Sequence, residues 1–192
     1  TVSDLSGPTA TITSQTDVTC FAGADGSGTA LITGGVQPYD YLWDGNAGNQ
    51  ITPTASNLSL GTYSLTITDA SGCAASTSVT IIQPDSIQIN GAMIDPTCFG
   101  YTDGQITASA IGGDGNFSFS WNDPANQTSN VASGLPIGNY IVTVVDGNGC
   151  SNFNQFSLFE PAELNGIMNF TDVQCNAACD GTATITFVNG AA

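Results

Sequence analysis

The chain has 192 residues, 16 of them Asp or Glu, and no Lys, Arg or His, so its formal charge is −16 and no side-chain ion pair can form. Nucleic acid binding is excluded because phosphate neutralisation needs Lys or Arg, and an anionic membrane surface repels such a chain. An acidic disordered tail is excluded as well, since hydrophobic residues make up 41% and charged residues only 8%, the reverse of a disordered composition.

Thr, Ser, Val, Ile and Gly dominate what remains, which predicts strands joined by tight turns. No apolar run reaches the roughly 18 residues of a membrane helix, and no secretory leader is visible at Thr1; the sequence reads as an interior or processed segment. Six cysteines in a cation-free, strand-rich chain point to an oxidising compartment. Structural zinc is disfavoured, because there is no His and the only closely spaced pair is Cys175 and Cys179.

Residues 1–8 read as a lead-in from a preceding unit, and a first unit spans 9–84. Within it Asp25-Gly26 and Gly34-Gly35 are predicted turns bracketing a strand over Thr29 to Thr33. Tyr39, Tyr41 and Trp43 then share one face of a strand. Such a stripe suits either a carbohydrate platform or the inward face of a core strand, and its strict two-residue spacing favours the core. Tyr63, Leu65 and Ile67 alternate with Ser64, Thr66 and Thr68, giving one apolar and one polar face. A strand over Val79 to Ile82 follows, and Gln83-Pro84-Asp85 ends the unit, since proline removes a donor and fixes φ.

The pattern then recurs over residues 85–161. Cys98 follows Cys20 by 78 residues, Cys150 follows Cys73 by 77, Trp121 follows Trp43 by 78, and Tyr140 follows Tyr63 by 77. Phe117 and Phe119 replace Tyr39 and Tyr41, and Asp146-Gly-Asn-Gly-Cys150 repeats Asp69-Ala-Ser-Gly-Cys73. Residues 162–192 begin a third unit, with Cys175 in the place of Cys20 and Cys98. No segment has a helical period. The expected fold is all-β: tandem antiparallel β-sandwich repeats of about 77 residues, each with six or seven strands and similar to an immunoglobulin-like domain.

A unit this small has a marginal core, so one disulfide per unit is expected, pairing Cys20 with Cys73 and Cys98 with Cys150. The rival pairing, Cys73 with Cys98, joins residues expected at far-separated ends. Cys175 can pair with Cys179 or with a cysteine outside the sequence. If the expected bonds form, they draw Asp17, Asp25 and Asp69 together in the first unit and Asp95, Asp103 and Asp146 in the second. Calcium takes six to eight oxygens from such groups; turn-building and capping by Asp are the competing reading.

The combination Cys20…Asp25-Gly26-Ser27-Gly28-Thr29-Ala30…Gly34-Gly35…Pro38-Tyr39-x-Tyr41-x-Trp43, then Leu60-Gly61-Thr62-Tyr63…Thr68-Asp69-Ala70-x-Gly72-Cys73 resembles the SprB-type repeat of Bacteroidota gliding-motility and cell-surface adhesins. The resemblance implies very large proteins of many tandem units, exported to the cell surface by type IX secretion. It implies adhesion to surfaces or polysaccharides, and gliding in some species. It also makes Asp85-Ser86-Ile87 similar to an O-glycosylation motif of the same bacteria, with Ser86 as acceptor.

No general base or activated nucleophile is present without His or Lys, so no catalytic residue is assigned. The expected role is a structural stalk whose ligand is met by other parts of the parent protein and whose neighbours are further repeats. The alternatives are a carbohydrate- or calcium-binding module and a surface-filament subunit.

Overall fold

The computed structural model describes residues 7–172 and 181–188. In the first repeat the β-prone segments form β1 (Thr9–Thr16), β2 (Gly26–Thr33), β3 (Tyr39–Trp43), β4 (Thr54–Leu58), β5 (Gly61–Asp69) and β6 (Ala74–Ile81). The second repeat gives β7 (Gln88–Ile94), β8 (Gly104–Ile111), β9 (Phe117–Trp121), β10 (Val131–Leu135), β11 (Gly138–Asp146) and β12 (Ser151–Leu158). A hairpin of β13 (Gly166–Thr171) and β14 (Thr182–Phe187) opens the third. Among the described residues the only helical segment is a 3-10 turn at Gly45–Ala47.

Each complete repeat stacks two three-stranded antiparallel sheets, β1-β2-β4 on β3-β5-β6 and β7-β8-β10 on β9-β11-β12. Alternation makes this possible. Along β5, Tyr63, Leu65 and Ile67 are buried while Thr62, Ser64 and Thr66 are exposed. With Trp43, Ala55, Leu58, Val79 and Ile81 they form the first core, each large aliphatic contributing about 1.5–3 kcal/mol by leaving water.

Two features make the sandwich immunoglobulin-like. A buried Trp lies on the third strand of each repeat. The tyrosine near the start of the fifth strand returns its hydroxyl to a main-chain carbonyl four residues upstream, Tyr63 to Ser59 at 3.0 Å and Tyr140 to Pro136 at 2.8 Å, the corner seen in that class. Relative to the seven-stranded arrangement, the strand between the third and fourth is omitted, leaving six.

That omission determines which end each turn occupies. Let the base of a repeat be where β1 begins and the tip where it ends. β1 and β6 both finish at the tip, where the Val18 amide donates to the Ile82 carbonyl (2.9 Å) and the Ile82 amide to Asp17 (3.0 Å). β3 pairs only with the base half of β5, from Tyr39↔Asp69 to Trp43↔Leu65. β4 pairs only with the tip half of β2, from Thr54↔Thr29 to Leu58↔Gly26. The two are therefore half-length strands of a single base-to-tip passage that changes sheets midway.

Residues 44–53 make the change, and side chains hold it. Asp44 accepts from the Ala47 and Ser64 amides (3.1 and 2.8 Å), Trp43 Nε1 donates to the Thr52 carbonyl (3.0 Å), and the Gln50 amide exchanges two bonds with the Ser56 backbone. In the second repeat Trp121 Nε1 reaches the Ser129 carbonyl (2.8 Å), and Gln127 bonds Asp123 and the Ser133 backbone.

Because the third and fourth strands run the same way, the link after the first strand lies at the tip and the turn after the fifth lies at the base. Cys20 and Cys73 are thus at opposite ends of one repeat, as are Cys98 and Cys150. The expected pairs Cys20–Cys73 and Cys98–Cys150 are not formed. Cys20 is bonded to Cys150 instead, with Cα atoms 5.5 Å apart, while Cys73 and Cys98 are exposed free thiols. The compact units of the chain likewise differ from the sequence repeats: the first extends through Ile87 and takes in residues 112–116 and 146–150, so both bonded cysteines belong to it.

One turn is corrected as well. Gly34 and Gly35 have positive φ (70° and 68°) and do turn the chain, but Gly26 already lies in β2. A Cβ there would stand 2.7 Å from Ile81 Cγ2 and 2.8 Å from the Leu58 carbonyl oxygen, so this glycine serves close packing between strands.

Candidate functional site

The base turn is built by one carboxylate. Asp69 Oδ1 accepts from the Ser71 amide (2.9 Å), the Ser71 hydroxyl (2.6 Å) and the Cys73 amide (2.9 Å), while Oδ2 accepts from the Val36 amide (2.9 Å). Gly72 supplies the positive φ of 85° that lets the chain close there. Asp146 repeats the device, taking the Asn148 and Cys150 amides (3.0 and 2.9 Å) and the Asp114 amide (3.2 Å), with Gly149 at φ 86°.

The tip loop is fixed in the same way. Asp25 accepts from the Thr19 amide at 3.0 Å and Asp103 from the Thr97 amide at 3.0 Å. Asp17 receives the Ile82 amide (3.0 Å) and Asp95 the Phe159 amide (2.9 Å).

These bonds correct the expected carboxylate cluster. In the first repeat Asp17 and Asp25 lie at the tip and Asp69 at the base; in the second, Asp95 and Asp103 are separated from Asp146 in the same way. Among the described residues no three acidic or cysteine side chains are grouped so as to hold a metal ion.

Hydrogen bonding to the charged form favours it. The Ser71 hydroxyl, then the Val36, Cys73 and Ser71 amides, hold the Asp69 carboxyl down at about 2. The Thr19 and Thr97 hydroxyls and amides lower Asp25 and Asp103. Burial opposes ionisation of Asp123, yet the Gln127 side chain and the Gln127 and Ala125 amides prevail and lower it; burial and then the Asp123 charge raise Tyr140.

A group with a depressed folded pKa stabilises above its unfolded pKa and ceases to do so as pH falls through the folded value. The Asp69→Asn variant is therefore expected to melt several degrees below the parent above about pH 5, given an unfolded carboxyl near 3.9. The gap closes as pH falls towards about 2, and paired thermal melts across pH 2–7 measure it. A gap independent of pH would assign the loss to something other than the carboxylate charge.

The remaining predicted residues fall as follows. Trp43 and Trp121 are 0% and 2% exposed, Tyr63 and Tyr140 are buried, and Tyr39, Tyr41, Phe117 and Phe119 are half-buried. The indole faces are therefore closed to a sugar. Ser86 is half-buried rather than in an open linker, because its carbonyl lies against Gly112. Cys175 and Cys179 lie outside the described residues. Sequence reasoning missed Asp44 and Asp123 as caps of the sheet change, and the only signal for them was an Asp immediately after Trp43 and two residues after Trp121.

The family model described as the SprB repeat matches residues 12–48 and 91–126. Both segments are similar to the SprB repeat. Each SprB match begins inside the first strand of a repeat and passes through the tip cysteine, the second strand and the buried Trp into the sheet change. The tyrosine corner and the base cysteine lie beyond it. No curated protein matches the chain.

Among solved structures, the N-terminal eight Ig domains of Down Syndrome Cell Adhesion Molecule align over 81% of this chain and 25% of theirs, at 11% identity and a TM-score of 0.39. The amphioxus IgVJ-C2 molecule aligns over 64% and 89%, at 15% identity and a TM-score of 0.30. A tetra-tandem repeat from the extending region of a large adhesion protein aligns over 95% and 63%, at 13% identity and a TM-score of 0.25. The chain thus spans a quarter of the first of these, and the fold assignment rests on strand order and the tyrosine corner.

Proposed function

We propose that these SprB-like repeats form the extended stalk of a large secreted bacterial adhesin, holding an adhesive region away from the cell surface. Type IX export, a part in gliding, and a polysaccharide or surface ligand bound elsewhere in the parent protein belong to the same reading. The observation that carries it is the Cys20–Cys150 bond, which spans 130 positions of sequence and links cysteines of two successive repeats. Tension applied to the two ends runs along β1, through the bond and out along β12. Residues 21–149 form a closed loop that the force does not enter.

Composition supports an exposed, tensioned role. A chain without Lys or Arg offers no trypsin-type cleavage site. Its unrelieved negative charge repels neighbouring copies within a Debye length of about 8 Å at physiological salt, which disfavours collapse.

Single-molecule stretching from both ends tests this. Reduction is expected to lengthen the fully unfolded chain by roughly 450 Å, since extended chain spans about 3.3–3.6 Å per residue. An oxidised chain that already stretches to its full contour would remove the stalk reading's support.

A further inference from the structure

We propose that free Cys73 and Cys98 are the two open halves of the junction that Cys20 and Cys150 complete, Cys98 being the acceptor for the Asp-x-x-Gly-Cys turn of another repeat, supplied to the isolated chain by a second copy. Cys98 occupies the repeat position of Cys20, and Cys73 that of Cys150, at separations of 78 and 77 residues.

Both open halves already have the backbone of the closed one. At the tip, the Gly23 amide bonds the Cys20 carbonyl (2.9 Å) and the Tyr101 amide bonds the Cys98 carbonyl (3.1 Å). A side-chain oxygen from the end of the repeat clamps each loop, Gln83 on the Ala22 amide (3.0 Å) and Glu160 on the Gly100 amide (2.8 Å). At the base, the Asp69 amide bonds the Cys73 carbonyl and the Asp146 amide the Cys150 carbonyl, both at 2.9 Å. The glycine before each cysteine has the same φ within a degree, 85° and 86°. Neither loop needs rearrangement to engage.

The surface beside Cys98 is also open. A recess of about 410 Å³ adjoins it, lined by Thr97, Phe99, Pro161 and Leu164 among others, with Phe99 and Leu164 exposed. The equivalents of Thr97 and Cys98, Thr19 and Cys20, are those that the Cys150 turn meets in the closed junction: Cys150 Sγ lies 3.4 Å from the Thr19 carbonyl oxygen and is bonded to Cys20. Continuity with that junction identifies the occupant as a repeat turn carrying its own cysteine.

The bond forms by exchange. Two protein thiols and one molecule of oxidised glutathione give one protein disulfide and two molecules of reduced glutathione, the protein sulfurs losing two electrons that the small disulfide gains. Cys98 lies inside the loop closed by Cys20 and Cys150, so a bond at Cys98 overlaps the existing loop, and successive junctions interlock rather than merely follow one another.

The test uses Cys73→Ser and Cys98→Ser variants of the full chain. Both cysteines are exposed, and circular dichroism checks that each variant is folded. In a glutathione redox buffer each variant alone is expected to remain monomeric on a non-reducing gel. An equimolar mixture is expected to give a covalent heterodimer, and the parent chain a ladder of head-to-tail oligomers. Cleavage before Asp, suited to a chain without Lys or Arg, should release residues 69–84 joined to residues 95–102. Homodimers forming as fast as the heterodimer, an absence of linked species, or linkage of either peptide to residues 172–179 would each overturn the proposal. The outcome is independent of the stalk reading, because a ladder can form whether or not the loop is shielded from force.

Discussion

Replacing Cys20 by Ser is expected to be among the most damaging single changes to the chain, whereas replacing Cys73 by Ser should leave its stability unchanged within about 0.5 kcal/mol, as for exposed sites without special contacts. The Cys20–Cys150 bond spans 130 positions, and loop-closure entropy for such a span gives about 5 kcal/mol, at the top of the range for native disulfides. The comparison discriminates sharply, because a bond between Cys20 and Cys73 would make the two variants equally unstable. Urea melts of both variants and the parent, with reduced parent as a fourth sample, read the difference as a shift in midpoint at constant slope. Equal midpoints for the two variants would restore the within-repeat pairing.

The cysteine pairing was not legible in the sequence, and the reason is specific. Strand alternation predicts ends correctly only when every strand reverses direction. The Tyr39–Trp43 and Thr54–Leu58 segments are each five residues long and look like two ordinary strands. That they share one direction follows from their pairing with opposite halves of different partners, which is a tertiary fact. The six strands of each complete repeat fall within the expected six or seven, but the pattern alone did not choose between them.

What period-two patterning controls was readable. Tyr63-x-Leu65-x-Ile67 puts three apolar groups on one face whatever the neighbours do, and the same holds for Tyr39, Tyr41 and Trp43. The gradient along that second stripe was not readable: Tyr39 and Tyr41 are half-buried while Trp43 is enclosed, because only Trp43 reaches the place where the chain crosses between sheets. Asp25-Gly26 failed as a turn for a similar reason. A dipeptide that favours turns is also one that admits close strand approach, and the nearness of Ile81 and Leu58 to Gly26 cannot be inferred from local sequence. The acidic residues were recognised as recurring features of the repeat, but the ends they occupy depended on the same strand directions.

Trp43→Ala is expected to cost the first repeat about 3–5 kcal/mol, the range for emptying a buried large aromatic site. Two effects add. Trp43 is wholly enclosed, so its removal leaves a cavity between the sheets, and its Nε1 no longer holds the Thr52 carbonyl that anchors the sheet change. Trp43→Phe separates them: the ring still fills much of the space, and loss of the hydrogen bond contributes about 1 kcal/mol. The chain has only two tryptophans, so in either variant Trp121 becomes the sole indole reporter and its emission follows the second core alone. If each repeat folds around its own tryptophan, the Trp121 transition in urea stays at its parental midpoint while far-ultraviolet circular dichroism gains an earlier transition. A Trp121 transition that moves down with the rest would show that the two cores unfold as one cooperative body, making the repeat a unit of sequence but not of folding.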